Sequence, residues 1–307
     1  MISQPQLPQA GEVFLDHVAW FAPETEAEGR AFERLGFVLT PYVQHRAATA
    51  DGGLELSGTA NRCAMLQRGY LEILSPVQGS GTALANQLRA GLARYPGVHL
   101  VAFGIADAEA ERSRLFGEGF DPRPVVSLRR RVAVDGGGEA DAEFSVVRTA
   151  PEVMPEGRIQ FLVHQTPHLV WQPRYLAHEN AIEALTGVLV AVADVAEAAG
   201  RYARFTGRRA EELGEGCAVI ALDRGRIAFA PWNAARHDRR TAPAAPPFMA
   251  AVALQSSDLD ATRSFMASRR VRLVTEGASY LVVHPYDAAG TALVIHAQGA
   301  DDALYAR

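Results

Sequence analysis

The chain has 307 residues, of which 48% are hydrophobic and 21% are charged, and its formal net charge at pH 7 is −5. This length and composition allow one large or two medium domains with a sizeable core. The acidic balance argues against a nucleic-acid-binding protein, so no nucleic-acid partner is expected. The one dense basic run, Arg129-Arg130-Arg131, has a strand-like context and is interpreted as a solvated strand face.

Three features of the sequence bear on the cellular compartment. The N-terminal segment lacks a basic region followed by an apolar one, so no secretory signal is expected. No apolar run reaches the roughly 18 residues of a membrane span, so no membrane partner is expected. Cys63 and Cys217 lie far apart in the sequence, which does not suggest a disulfide framework and fits a reducing compartment. We therefore expect a cytoplasmic protein.

A strand–helix pattern occurs four times along the chain. The first copy, residues 17–37, aligns without a gap with the second, residues 100–120, and both end in Gly-Phe. A third copy spans residues 189–209, and a fourth begins at Ala250. Each copy opens with a short β-type apolar run and continues into a helical pattern with apolar residues at three- and four-residue spacing. In the fourth copy, Ser257 or Asp258 is expected to cap the helix.

Short β-like runs follow each of these helices, so each unit is predicted to be βαβββ. In the third copy only two of these later runs are visible, and the last two units are shorter, which indicates lost loops or a lost strand. The fold class is therefore α+β, with four modules paired into two domains, residues 1–178 and 179–307, built on curved mixed sheets. The Pro- and Ala-rich segment 234–247 is expected to be a surface loop between modules three and four.

Several local motifs carry a resemblance to a known superfamily. They are LDHVAW at 15–20, GTANR at 58–62, YLEILS at 70–75, HQTPHLVW at 164–171 and HENA at 178–181. Together with the paired modules, they resemble the vicinal oxygen chelate superfamily, which includes glyoxalase I, extradiol dioxygenases and fosfomycin- or bleomycin-resistance proteins. The N-terminal half looks like the glyoxalase-like domain proteins of this superfamily.

The resemblance implies a divalent metal inside the cup that two modules form, with ligands from the first and last strand of each. In this sequence those strands offer His17, Glu72 and Gln160. Gapless pairing of the copies puts Leu100 at the position of His17, so His99 joins the set only through a β-bulge. The metal ligands are taken as His17, Glu72 and His99, and the ion as Zn, Ni, Mn or Fe(II). A buried His17 is also compatible with a hydrogen-bonded core histidine, and an outward-facing Glu72 would need no partner.

A second group of polar residues is expected around the same cup. His45, Thr59, Asn61 and Gln160 are predicted to bind substrate, although Gly-Thr-Ala-Asn is also a good turn sequence. Glu72 and His164 are predicted to move protons as catalytic groups. In the segment between the domains, His178 and Asn180 are expected to cap the element that follows or to join the two halves. Trp171 is interpreted as an anchor between the domains.

The function expected from this pattern is that of an enzyme with a small-molecule substrate. The first hypothesis is a metal-dependent lyase or isomerase of the glyoxalase type, acting on a small oxygenated compound in the N-terminal cup. The alternatives are a non-haem iron(II) extradiol-type dioxygenase and a metal-free small-ligand binding or resistance protein. The C-terminal half lacks the ligand pattern. It is therefore interpreted as a degenerate copy that covers the first domain or forms a homodimer.

Overall fold

The computed structural model describes residues 6–48, 53–234, 243, 245–300 and 303–304. The chain forms four consecutive βαβββ modules, so the predicted α+β class with curved mixed sheets is confirmed. The first module comprises β1 (Phe14–Phe21), α1 (Thr25–Arg34), β2 (Val43–Ala48), β3 (Leu54–Met65) and β4 (Tyr70–Pro76). After α2 (Ala83–Arg94), the second comprises β5 (Gly97–Gly104), α3 (Ala108–Gly117), β6 (Val126–Ala133), β7 (Glu139–Arg148) and β8 (Arg158–His164).

The first two modules close into one eight-stranded barrel with the strand order β1-β4-β3-β2-β6-β7-β8-β5. The first strand of each module pairs in parallel with the last strand of the same module, and β1 and β5 pair antiparallel. The two modules share one register, because Ala19 pairs with Glu72 in the first and Ala102 pairs with Gln160 in the second. Every second residue of each strand therefore points into the barrel.

The last two modules form a separate, open sheet. After the short helix α4 (Pro167–Val170), the third module comprises β9 (Ile182–Val192), α5 (Val195–Thr206), β10 (Ala210–Leu213), β11 (Cys217–Ala221) and β12 (Arg226–Pro231). The fourth comprises β13 (Phe248–Ser256), α6 (Leu259–Ser268), β14 (Leu273–Glu276), β15 (Tyr280–Val283) and β16 (Ala292–His296). The sheet order is β10-β11-β12-β9-β13-β16-β15-β14. The predicted loss of a strand is wrong, because the four-residue AEEL strand β10 is too short and polar to show a β pattern.

Side-chain caps explain where several helices begin. Asp107, Asp194 and Asp258 precede α3, α5 and α6, and each carboxylate accepts hydrogen bonds from backbone N–H groups of the first turn. Asp258 is thus the cap at the fourth helix, one of the two residues that the sequence offered. No helix within the described ranges is both long enough and apolar enough to cross a membrane.

The helices of the C-terminal half pack on the outer face of the barrel. The ring of Phe205 on α5 stacks on Phe161 of β8, with 4.8 Å between the ring centroids. The indole Nε1 of Trp20 donates a hydrogen bond of 3.0 Å to the carbonyl of Ala288. A buried ion pair of 2.7 Å joins Arg201 to Glu156. These contacts hold the C-terminal half against the outside of the barrel.

The connection between the halves is tied to the first module. Asn180 donates a hydrogen bond of 2.8 Å to the carbonyl of Leu35 at the end of α1, and His178 Nε2 lies 2.8 Å from the carbonyl oxygen of Met65. The predicted domain boundary between residues 178 and 179 falls in this connecting segment. Most of the predicted loop 234–247 lies outside the described residues.

Candidate active site in the barrel interior

The barrel interior contains a partly open cavity of ≈ 70 Å³ between its strands and α2. Its polar lining includes His17, His45, Ser57, Thr59, Asn61, Tyr70, Glu72, Arg130, Arg148, Arg158 and Gln160. Six residues that the sequence pointed to therefore share one space, namely His17, His45, Thr59, Asn61, Glu72 and Gln160. They come together because alternate positions of β1, β2, β3, β4 and β8 face inward.

Glu72 lies at the centre of this group and is almost completely buried, with 6% of its surface exposed. Asn61 Nδ2 donates a hydrogen bond of 2.6 Å to Glu72 Oε1. Two histidines approach different carboxylate oxygens, with His17 Nε2 3.8 Å from Oε2 and His45 Nε2 3.9 Å from Oε1. Burial would raise the pKa of Glu72, but its interactions with His17, the Asn61 amide and Arg130 outweigh this effect and hold the pKa below its usual value. The side chain is therefore a carboxylate at neutral pH.

His17 is oriented by a carboxylate that the sequence analysis missed. Leu15 pairs with Phe103 and His17 pairs with Ala102, so Asp16 is the extra residue of a β-bulge. The bulge lets Asp16 Oδ1 reach His17 Nδ1 at 2.7 Å. Because a carboxylate only accepts, His17 donates from Nδ1 and directs Nε2 towards Glu72. The visible signal was a charged Asp next to His in an otherwise apolar strand.

His164, predicted to be a catalytic group, lies beneath the cavity and does not line it. Its side chain is 1% exposed, and its Nε2 lies 2.9 Å from Asp16 Oδ2. Burial would raise the pKa of Asp16, but the neighbouring His164 and His17 hold it far below its usual range. His164 therefore acts on the site through Asp16. Trp171 packs against the His164 ring at 4.5 Å and covers the barrel floor, so its interpretation as an interdomain anchor is wrong.

His99, predicted to be a metal ligand, lies apart from His17 and Glu72. A register shift in β5 does leave His99 unpaired, but its ring turns under α2, and Leu100 lines the cavity instead. His99 Nε2 lies 2.8 Å from the Tyr95 carbonyl oxygen, and the ring stacks on Tyr95 with 3.9 Å between centroids. Burial lowers the pKa of His99 to about 4, so the ring is neutral and Nε2 donates to this carbonyl. Its assignment to the metal set is corrected on this geometry.

The basic run on β6 contributes a side chain to the cavity, which corrects its interpretation as a wholly solvated face. Arg129 and Arg131 point outward and form ion pairs with acidic residues of β7. Arg130 points inward, is 6% exposed, and lies 5.3 Å over the ring of Phe144. Strand alternation required that the middle residue of three face the opposite side from its neighbours. The sequence therefore contained the signal for a buried arginine.

The side chains do not fit the divalent metal that the resemblance implies. The shared register puts Leu100 at the position of His17 and Gln160 at the position of Glu72, so two of the four ligand positions lack a strong donor. Gln160 Oε1 accepts a hydrogen bond of 2.9 Å from Arg148 Nε. Among the residues that the structure describes, no three His, Cys, Asp or Glu side chains converge in an arrangement that would hold a metal ion. The arginines of the lining also oppose a cation electrostatically.

A second cavity, of ≈ 430 Å³, lies next to the first. It lies at the seam where β2 and β6 share two paired positions in the described part of the chain. Asn61 and Arg130 line both cavities. A small molecule at the seam can therefore contact two residues of the barrel interior.

Comparisons with known proteins agree with this architecture. A family model described as "Glyoxalase-like domain" matches residues 15–206. No curated protein matches the chain significantly. A hypothetical protein from Staphylococcus aureus has a similar structure, with a TM-score of 0.64, 10% identity, and coverage of 93% of this chain and 99% of that one.

Two enzymes of known name also have similar structures. One is a mutant of 4-hydroxymandelate synthase from Streptomyces coelicolor, with a TM-score of 0.53, 13% identity and 94% coverage of both chains. The other is the Mn(II)-bound glyoxalase from Novosphingobium aromaticivorans, with a TM-score of 0.53, 11% identity, and coverage of 95% of this chain and 83% of that one. At these identities the similarity establishes the fold of the superfamily and not the reaction.

Proposed function

The chain belongs to the glyoxalase-like domain family, and we propose that it is a lyase or isomerase that moves a proton on a small oxygenated compound inside the barrel. The observation that carries this proposal is the placement of Glu72. Its ionised carboxylate is buried next to the Nε2 atom of a histidine that Asp16 orients. A buried carboxylate with a fixed neighbour is suited to general base catalysis.

In the proposed reaction, Glu72 Oε2 takes a proton from a carbon atom next to a substrate carbonyl. The electron pair of the broken C–H bond moves into the carbonyl group, whose oxygen becomes an enolate oxygen. Positively charged groups of the lining stabilise that oxygen, as in other preorganised sites. If the deprotonated carbon carries a hydroxyl group, an isomer forms when the proton returns to the former carbonyl carbon and the hydroxyl proton moves to the enolate oxygen. Loss of a leaving group from the carbon beyond the deprotonated one gives a lyase product instead.

The other cavity residues hold this base in place. Asn61 binds Glu72 Oε1, which leaves Oε2 as the oxygen directed towards His17. Burial lowers the pKa of His45 to about 4, so its ring is neutral at pH 7. The hydroxyl of Thr59 lies 3.2 Å from His45 Nδ1 and fixes the ring. A neutral His45 near Glu72 is suited to hydrogen-bond a substrate oxygen without carrying charge.

The experiment follows exchange of solvent deuterium into C–H bonds by proton NMR. The protein is incubated in D₂O with pyruvate, hydroxypyruvate, hydroxyacetone and dihydroxyacetone. We expect catalysed exchange on at least one compound, and a loss of about 10²- to 10⁴-fold in Glu72→Gln, because a general base typically contributes that much. Unchanged exchange in Glu72→Gln would contradict the role of this residue.

Metal-free ligand binding is the second candidate, and the lining of the ≈ 70 Å³ cavity favours it, because it combines apolar side chains with several hydrogen-bonding groups. A binding protein needs the same complementary lining but no proton transfer. Ligand-dependent stabilisation without deuterium exchange on any of the four compounds would favour this candidate over the enzyme.

A further inference from the structure

Two arginines of the cavity lie at the same end of the barrel and are held by neutral groups. Arg148 ends β7, and its Nε donates a hydrogen bond of 2.9 Å to Gln160 Oε1. Arg158 begins β8, and its Nε and Nη2 donate hydrogen bonds of 2.9 and 2.6 Å to Gln87 Oε1 on α2. An amide oxygen orients a guanidinium group without neutralising its charge. Both arginines are therefore fixed in position and still positively charged.

Neither guanidinium forms an ion pair with an acidic side chain of the described residues. Burial, together with the charge of Arg148, lowers the pKa of Arg158 to about 9, and burial lowers the pKa of Arg148 to about 10. Glu72 is the carboxylate that acts on both in the opposite direction. Both groups thus carry their charge at pH 7 in surroundings that disfavour it.

Another buried arginine of the same molecule shows the contrasting arrangement. Arg201 is 9% exposed and forms ion pairs with Glu156 and Glu197, at 2.7 and 2.8 Å. Burial would lower its pKa, but hydrogen bonds to these carboxylates raise it above its usual value. The charge of the structural Arg201 is therefore neutralised by carboxylates of the same fold. The fold supplies none directly to Arg148 and Arg158, which leaves two charges for an external anion to neutralise.

The geometry points to a specific substrate class: Arg148 and Arg158 bind the carboxylate of a small organic acid in the barrel cavity. The planar guanidinium fork matches a carboxylate, and the small cavity of ≈ 70 Å³ favours a compact acid. This inference concerns the substrate of the proposed proton-transfer site and so rests on that function. Its binding test does not depend on catalysis.

The test measures thermal stabilisation and dissociation constants by calorimetry. The probes are pyruvate, hydroxypyruvate and lactate at millimolar concentration, the neutral amides pyruvamide and lactamide, and inorganic phosphate. We expect at least one carboxylate to bind and to raise Tm, and the matching amide to have no effect. Arg148→Gln and Arg158→Gln should each weaken carboxylate binding about 10- to 100-fold, which corresponds to the loss of a charge-assisted hydrogen bond.

Arg112→Gln is the matched control, because it removes the same charge from a half-exposed position on α3 paired with Glu109. It should leave binding unchanged. The ligand-free Arg158→Gln protein should melt at a higher temperature than the wild type, because a buried, unneutralised charge is removed. This gain shows that weaker binding does not result from misfolding. Equal effects of acids and amides, binding of phosphate alone, absence of any carboxylate binding, or unchanged binding in both variants would overturn the inference.

Failure of this inference is distinguishable from failure of the proposed function. Glu72→Gln should still bind the carboxylate, since removing a negative charge near the arginines favours an anion. Carboxylate binding that needs both arginines, without deuterium exchange, would retain the inference and reject the enzyme. Deuterium exchange confined to the neutral hydroxyacetone and dihydroxyacetone, with no carboxylate binding, would retain the proposed enzyme and reject the inference.

Discussion

The two halves of the molecule are built from the same modules but fill their concave faces differently. Their first strands share one register: Asp16 is the bulged residue between β1 and β5, and Thr186 occupies the same place between β9 and β13. On this register, His17 corresponds to Gly187 and Glu72 corresponds to Ala228. The fold is therefore compatible with a charged interior and with an apolar one, so the polar residues of the barrel are not required by the architecture.

The concave face of the C-terminal half shows how the same modules are filled when they carry no polar site. Its buried cluster consists mainly of small residues, including Ala228, Ala251 and Ala253, and is completed by Leu304. A Cβ atom on Gly187 would lie 2.8 Å from Leu304 Cδ2, so the C-terminal segment fills the position of His17. In the barrel, the same positions carry groups whose burial is unfavourable without partners. This difference supports a function for the polar interior.

The largest expected effect is the loss of stability when a carboxylate is placed on the apolar face of the C-terminal half. Ala228→Glu would bury a carboxylate among apolar side chains without a partner, and should lower the free energy of unfolding by about 3–5 kcal/mol. Chemical denaturation at pH 7 measures it. Ala196→Glu, at an exposed site on α5, is the control and should change stability by less than about 0.5 kcal/mol. Comparable losses in the two variants would remove the distinction between the faces.

The bulged residues provide the next test. Asp16→Asn should destabilise the protein by about 3 kcal/mol, because charge-assisted hydrogen bonds to His17 and His164 are weakened. Thr186→Val removes one hydrogen bond of 2.7 Å to His296 and should cost about 1 kcal/mol. Denaturant unfolding of both variants gives the ranking. A larger loss in Thr186→Val would mean that the carboxylate of Asp16 contributes little.

The low pKa of Asp16 predicts that its contribution to the free energy of unfolding depends on pH. The folded-state pKa of Asp16 lies below its unfolded value of 3.8, so its contribution to stability is present above pH 3.8 and is lost as the pH falls. The difference in unfolding free energy between wild type and Asp16→Asn should therefore be constant near neutral pH and shrink in acid. Urea titrations across this range measure it, and a difference that grows as the pH falls would reverse the sign of the predicted shift.

The smallest expected effect concerns His99. His99→Gln removes the ring that stacks on Tyr95 beside the barrel and should destabilise the protein by about 1 kcal/mol. Deuterium exchange and carboxylate binding should stay within about twofold of wild type, because the ring does not line the cavity. Loss of activity with unchanged stability would show that His99 belongs to the functional site.

Much of the site followed from the resemblance to a known superfamily. The resemblance implied inward-facing residues on the first and last strands of each module, and so pointed to His17, Glu72 and Gln160. The errors arose where alternation is interrupted or was not applied. The bulge at Asp16 shifts the register between Leu15 and His17, and the acidic side chain within an apolar strand was the only sequence signal of it. Arg130, in contrast, was predictable from the alternation that was applied elsewhere.

The sequence could not predict which residue each buried arginine contacts. Arg148 and Arg201 have the same side chain, yet one contacts Gln160 and the other contacts Glu156, because packing of distant elements decides the neighbour. The four-residue strand β10 was missed for a related reason, since its pairing with β11 stabilises a segment with little β propensity of its own.

The central claim is that the barrel interior is a proton-transfer site that works without a divalent metal. The most direct measurement is the deuterium exchange rate of chelator-treated protein, with metal content determined by mass spectrometry, before and after addition of Mn(II), Zn(II), Ni(II) or Fe(II). We predict a deuterium exchange rate that depends on Glu72 and does not change with added metal. Exchange that is absent after chelation and returns with one equivalent of metal would contradict it.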